Sequence, residues 1–207
     1  MRAVCCLVVC WVLSGCALTK DYIDVPYQAG ANLSVVDGAA ASAKVTVTGA
    51  DGRSVYKDRV SVKKNGYGME MAEIVAKNDV ADTVARAIEQ ELSSLGFVIG
   101  SGGSEVNVEV TRFYSDFKTG FFSGDAVAEV NLNVKVVGPD KAITFTKHYE
   151  GGGIEKNIML ASGDNARAAL IIALRNAVAL IINDAELQKA LLGVQKPPVA
   201  MTAPPSS

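Results

Sequence analysis

Beyond residue 16 the chain has no cysteine. Cys5, Cys6, Cys10 and Cys16 are the only four in its 207 residues. From Ala17 onward this excludes a disulfide, a redox-active thiol and a cysteine-ligated metal, even in an oxidising compartment. Histidine is scarcer still: His148 is the only one. An imidazole that binds metal or moves a proton needs partners, and no second His or Cys is available to it. His148 shares a phase with Thr144 and Thr146, so it reads as a surface or hydrogen-bonded strand residue. No stretch sets acidic residues at the alternate positions of a calcium loop. Lys and Arg number 20 against 22 Asp and Glu, a net charge of −2. With no basic run and no long acidic tail there is no electrostatic footprint for nucleic acid. A serine nucleophile would need a base that nothing in the sequence marks. The expectation is a protein that is not an enzyme and holds no cofactor.

What is present begins at the N-terminus, with MRAVCCLVVCWVLSGC. One positive charge, Arg2, precedes an uncharged run from Ala3 to Leu13. That run suits the apolar region of a signal peptide and is too short to span a bilayer. It ends in Leu13-Ser14-Gly15-Cys16, which resembles the bacterial lipobox: an apolar residue, two small residues, then Cys. The resemblance implies cleavage after Gly15, with residues 1–15 as signal peptide. It also implies membrane attachment through acyl chains on Cys16.

Residues 16–31 show no sustained period and contain Pro26 and Gly30. They read as a lipidated N-terminus and flexible tether, with an extended reach of roughly 50 Å. Residues 194–207, rich in Pro, Ala and Ser, read as a disordered tail. The folded domain is expected over 32–193. Within it, Lys44 to Thr48 alternates like a strand and stops at Gly49-Ala50-Asp51-Gly52. A further strand is expected over 55–62. An amphipathic helix spans Asp79 to Leu95, with Asn78 as N-cap and Gly96 just past its end. Its stripe is Val80, Val84, Ile88, Leu92 and Leu95. Val106, Val108 and Val110 mark another strand. Ala126 to Val137 alternates strictly, the pattern of a sheet with one buried and one wet face. Gly138-Pro139-Asp140-Lys141 turns the chain into a returning strand through Phe145. The last helix runs from about Asp164 to Ile182, with an extension from Ala185 to Leu192. Its apolar arc, Leu170, Ile171, Leu174, Val178, Leu180, Ile181 and Ile182, spans about 200°. Arg175 and Asn176 argue against a membrane span. The fold class is α+β: a mainly antiparallel sheet with two main helices packed on one face.

This order of elements resembles the YajG-like family of uncharacterised bacterial lipoproteins. The stretches that carry the likeness are Val45-Thr46-Val47-Thr48-Gly49-Ala50-Asp51, the helix through Leu95-Gly96-Phe97-Val98-Ile99-Gly100, and the strand beginning at Val106. The resemblance implies the Gram-negative envelope and supplies no catalytic residues. The residue after Cys16 is Ala17 rather than Asp, which in such lipoproteins implies sorting to the outer membrane, facing the periplasm.

Two glycine clusters carry no phosphate-binding signature. Gly100-Ser101-Gly102-Gly103 precedes a strand rather than a helix, so it reads as a turn. Gly151-Gly152-Gly153 lacks a following Lys-Ser/Thr pair and reads as a flexible connector. The densest aromatic stretch is Arg112 to Phe122. Phe117, Phe121 and Phe122 fall where a loop is expected, either capping the core or forming a patch for a partner protein or the membrane surface. Ile172 falls outside the helical arc and reads as its exposed apolar residue. The leading expectation is a lipoprotein that binds or supports another envelope component. The alternatives are a module for a lipid or cell-wall fragment held between helices and sheet, and homo-oligomerisation through Ile172 or a sheet edge.

Overall fold

The computed structural model describes residues 19–30, 43–118, 120 and 123–193. Cys16, Phe121, Phe122 and the tail 194–207 lie outside the described residues. Among the described residues, eight strands and three helices follow in the order β1 (Asp21–Ile23), β2 (Lys44–Asp51), β3 (Ser61–Lys64), β4 (Glu70–Ala76), α1 (Val80–Ser94), β5 (Val98–Ile99), β6 (Ser104–Lys118), β7 (Gly124–Val137), β8 (Ile143–Ile158), α2 (Gly163–Ile182) and α3 (Ala185–Leu191). A five-stranded sheet has the order β5-β2-β6-β7-β8, and a three-stranded sheet the order β1-β4-β3. The pairs β6–β7, β7–β8 and β3–β4 are antiparallel, while β2 pairs in parallel with both β5 and β6. The expected α+β class holds, with mixed, mostly antiparallel sheets and three helices.

The strictest sequence pattern gives the centre of the core. Ala126, Ala128, Val130, Leu132, Val134 and Val136 of β7 are all fully buried. Both long helices cover this face, α1 over β2 and β6, α2 over β7 and β8. All five stripe residues of α1 are buried. The N-cap is Asp79 rather than Asn78: its carboxylate accepts from Asp82 N at 2.9 Å. Asn78 is drawn away, its amide bonding both the N–H and the carbonyl of Val25. Gly96, at φ 99°, ends the helix as expected. Its N–H bonds Ser93 O and that of Phe97 bonds Leu92 O, the paired bonds of a glycine-terminated helix.

Two further expectations are corrected. Residues 55–62 do not form one strand. Arg53, 5% exposed, pairs with Asp51 and donates to the carbonyls of Tyr56, Lys57 and Arg59. A guanidinium can gather a loop in this way because it offers five donors. The stretch up to β3 is therefore a loop, and it brings Tyr56 onto Tyr114 with ring centroids 4.5 Å apart. The aromatic stretch of 112–118 is not a connection but the second half of β6. A register shift between Val110 and Arg112 exchanges the faces of the strand. Val106, Val108 and Val110 point into the core before it, and Phe113, Ser115 and Phe117 after it.

The glycines 151–153 form no flexible connector. They continue β8 along β7, opposite Val130, Glu129 and Ala128. A Cβ on Gly151 would lie 2.5 Å from Ala173 O, and one on Gly153 would lie 2.2 Å from Ala169 O. Helix and strand thus touch backbone to backbone, with Ala166, Ala169, Ala173 and Ala177 completing the small-residue seam. Although α2 is long and apolar enough to cross a membrane, half of its 18-residue apolar window is buried inside this domain.

Candidate functional site

The segment read as a free tether is docked. β1 pairs in parallel with β4, Asp21 opposite Ile74. Val25 is fully buried and Ile23 nearly so. Asp21 binds Lys63 at 2.7 Å and accepts from Gly163 N, the first residue of α2, at 2.9 Å. Tyr27 donates its phenol to Glu91, a carboxylate only 2% exposed on α1. Burial, then the bond to Glu91, pushes the Tyr27 pKa far above its ordinary value. An isolated buried carboxylate would be costly, and Tyr27 supplies the donor that offsets this. The expected tether from 16 to 31 is therefore corrected in its described part: Lys20 to Tyr27 are tied down, and in sequence only Ala17 and Leu18 separate Cys16 from Thr19.

Among the described residues β8 is a terminal strand of the five-stranded sheet, sixteen residues long. Beside it lies an open groove of about 770 Å³, lined among others by Lys147, Tyr149, Gly152, Asn176, Leu180 and Asp184. Asp184 organises its end. One carboxylate oxygen caps α3 through Glu186 N and Leu187 N. The other accepts from Lys147 Nζ at 2.6 Å and from Tyr149 OH at 2.9 Å. Burial works to raise the Asp184 pKa, but the bonds from Lys147, Tyr149 and the two backbone N–H groups outweigh it, and the net shift is downward. The bond to Asp184 holds the Lys147 pKa up. Burial, and then Asp184, pushes the Tyr149 phenol up. All three groups are fixed in their ordinary charge states at neutral pH, the arrangement of a tie rather than of an acid and base poised to exchange a proton.

Of the residues singled out in the sequence, the described ones lie on different elements. His148 lies on the wet face of the large sheet, its Nδ1 2.7 Å from Asn133 Oδ1. Phe117 is 3% exposed in β6, so it belongs to the core and not to a surface loop. Ile172 is half-buried rather than exposed, whereas Leu180, expected inside the apolar arc, is 50% exposed at the groove. Gly100 to Gly103 carry the chain from β5 to β6 around the start of β2, both strands being parallel to it. Among the described residues no group of three or more His, Cys, Asp or Glu could hold a metal ion. Sequence reasoning missed the Lys147–Asp184–Tyr149 cluster. Asn183-Asp184 ahead of the Ala185 extension is a legible cap signal, but its partners sit more than thirty residues away.

Protein XCC0632 from Xanthomonas campestris, of the DUF330 family, is similar in structure. It shares 14% identity and a TM-score of 0.57, covering 84% of this chain and 96% of that one. An uncharacterised protein of known crystal structure gives 13% identity and a TM-score of 0.54, covering 79% and 97%. At these identities the likeness concerns the fold alone. No curated relative matches. The family model described as "Uncharacterized lipoprotein" matches residues 34–192. The chain belongs to that family of lipoproteins, and is accordingly a lipid-anchored membrane protein.

Proposed function

We propose that this chain is a non-enzymatic lipoprotein, acylated on Cys16 and held at the outer membrane facing the periplasm. It binds a segment of another envelope protein along the outer edge of β8. Within its family it groups with the YajG-like members, on the stretches 45–51, 95–100 and 106 onward. Cys16 is favoured because the Leu-Ser-Gly-Cys box follows an uncharged run, and the outer membrane because Ala17 follows Cys16.

The observation that carries the partner reading is the length of β8 as a terminal strand. Along its sixteen residues, backbone groups that point away from β7 face an added strand, the mode by which extended peptides join sheets, although Gly152 O already accepts from Asn176 at 2.7 Å. Lys147, Glu150 and Lys156 along it discourage indiscriminate pairing and leave a charge pattern for a chosen one. Confinement to a membrane plane raises the effective concentration of a partner, so a modest contact suffices. The fixed charge states of Lys147, Asp184 and Tyr149 favour a binding role over chemistry. The space between helices and sheet is filled by buried side chains such as Leu132, Leu170 and Leu174, which speaks against a ligand held there.

Photoreactive residues at Thr146 and Glu150, both exposed on β8, test this in cells carrying the full-length protein. An adduct with one envelope protein, lost on Cys16→Ala, is expected. Adducts only with a second copy would replace the partner by self-association, and the absence of adducts from β8 would refute the edge as the binding surface.

A further inference from the structure

The docked N-terminal segment fixes which end of the domain meets the bilayer. Three steps separate Cys16 from Thr19, a reach of about 10 Å. Thr19 is held in turn, its carbonyl accepting from Lys63 Nζ at 2.9 Å, and Lys20 pairs with Glu73 at 2.6 Å. A lipid on Cys16 therefore brings the start of β1 to the membrane surface.

Several elements converge at that end. β3 and β4 turn back there through Asn65–Gly68, a turn fixed by Asn65 Oδ1 accepting from Tyr67 N and Met69 N, both at 3.0 Å. Gly163 N on Asp21 brings in the start of α2, and with it the connection from β8 that holds Met159 and Leu160. Lys64 Nζ bonds Asp116 and the carbonyl of Phe117, which adds the end of β6. β7 starts opposite the end of β8, Gly124 against Ile158, and opposite the end of β6, Asp125 against Lys118, so these strand ends gather here as well.

Exposure is concentrated here too. Tyr67 at 90%, Met159 at 80% and Leu160 at 74% are the most exposed large apolar residues among those described; Ile143, at 64%, lies at the start of β8, away from this end, and Met69, at 58%, lies beside Tyr67 in sequence. A protein in water gains nothing from such a cluster, whereas an interfacial ring and flexible apolar side chains suit the boundary between headgroups and acyl chains.

We propose that this end is a second membrane contact, in which Tyr67, Met69, Met159 and Leu160 enter the bilayer interface beside the acyl chains of Cys16. The proposal rests on the reading of Cys16 as the acylated residue. Together, anchor and contact set the domain's orientation rather than leaving it to swing on a tether.

The test uses the mature acylated chain in vesicles of phosphatidylethanolamine and phosphatidylglycerol. With Cys16 acylated, single cysteines can be labelled selectively. An environment-sensitive fluorophore on Gly66→Cys, where an added side chain meets no atom within 4 Å, reports on the contact. The same label on Lys135→Cys, on the wet face of β7, is the control. The label at 66 is expected to shift to the blue and to be quenched by lipids bearing a nitroxide near the headgroup, and the label at 135 to do neither. Tyr67→Ser with Met69→Ser should abolish the shift while the protein still floats with the vesicles. A water-like label at 66 on a protein that floats would overturn the contact and leave the anchor intact. An intact mass without acyl chains on Cys16 would overturn both.

Discussion

Gly153 and Ala169 meet so closely that a Cβ on the glycine would lie 2.2 Å from the alanine's carbonyl oxygen. The adjacent Gly152 has nothing within 4 Å of the same position. Two neighbouring glycines therefore respond oppositely to one methyl group. Gly153→Ala should cost about 1–3 kcal/mol, because α2 must move away from β8. Gly152→Ala should be neutral or stabilise by up to roughly 1 kcal/mol through the unfolded chain. Thermal unfolding of the two variants separates these outcomes, and equal effects would contradict the close approach of α2.

Phe117 gives a sharper decision between core and surface. Its burial predicts a loss of about 3–5 kcal/mol for Phe117→Ala. Denaturant unfolding measures it. A variant of unchanged stability would return Phe117 to the role of an exposed contact.

The docking of residues 20–27 depends on one buried pair. Tyr27→Phe keeps the ring and removes the donor from Glu91, which should cost about 1–3 kcal/mol. Hydrogen exchange should then show faster opening of the segment around Val25 than of β7. An unchanged exchange pattern would mean that the segment is held without this bond.

Asp184 links stability to pH. Its folded pKa is depressed, so its contribution is complete above its unfolded value and is lost as pH falls through the folded one. Asp184→Asn should be less stable than the natural protein at neutral pH, and the gap should close below about pH 4. Unfolding curves across that range test it. A gap that stayed constant into acid would exclude the carboxylate's charge as the cause.

Much of the fold was legible wherever one periodicity ran unbroken. β7 and α1 are such elements, because every second or every third-to-fourth position meets the same core. Legibility stopped where a local event changed the pattern. The register shift at Thr111 exchanges the faces of β6, so its second half no longer continues the pattern of Val106, Val108 and Val110. Gly151 to Gly153 have no side chains with which to show alternation, although they are strand. β1 is three residues long and exists only through its pairing with β4. Asn78 and Asp79 are both good caps in sequence, and only the contact of Asn78 with Val25 decides between them. The groove cluster was hidden for the same reason, since Lys147 and Tyr149 reach Asp184 through the tertiary fold.

The proposed anchor on Cys16 underlies every functional reading, and the intact mass of the protein from cells, with a palmitate label followed in parallel, examines it most directly. A chain that begins at Cys16, carries acyl chains and loses the label on Cys16→Ala is the predicted result. A chain that keeps residues 1–15, or bears an unmodified Cys16, would contradict it.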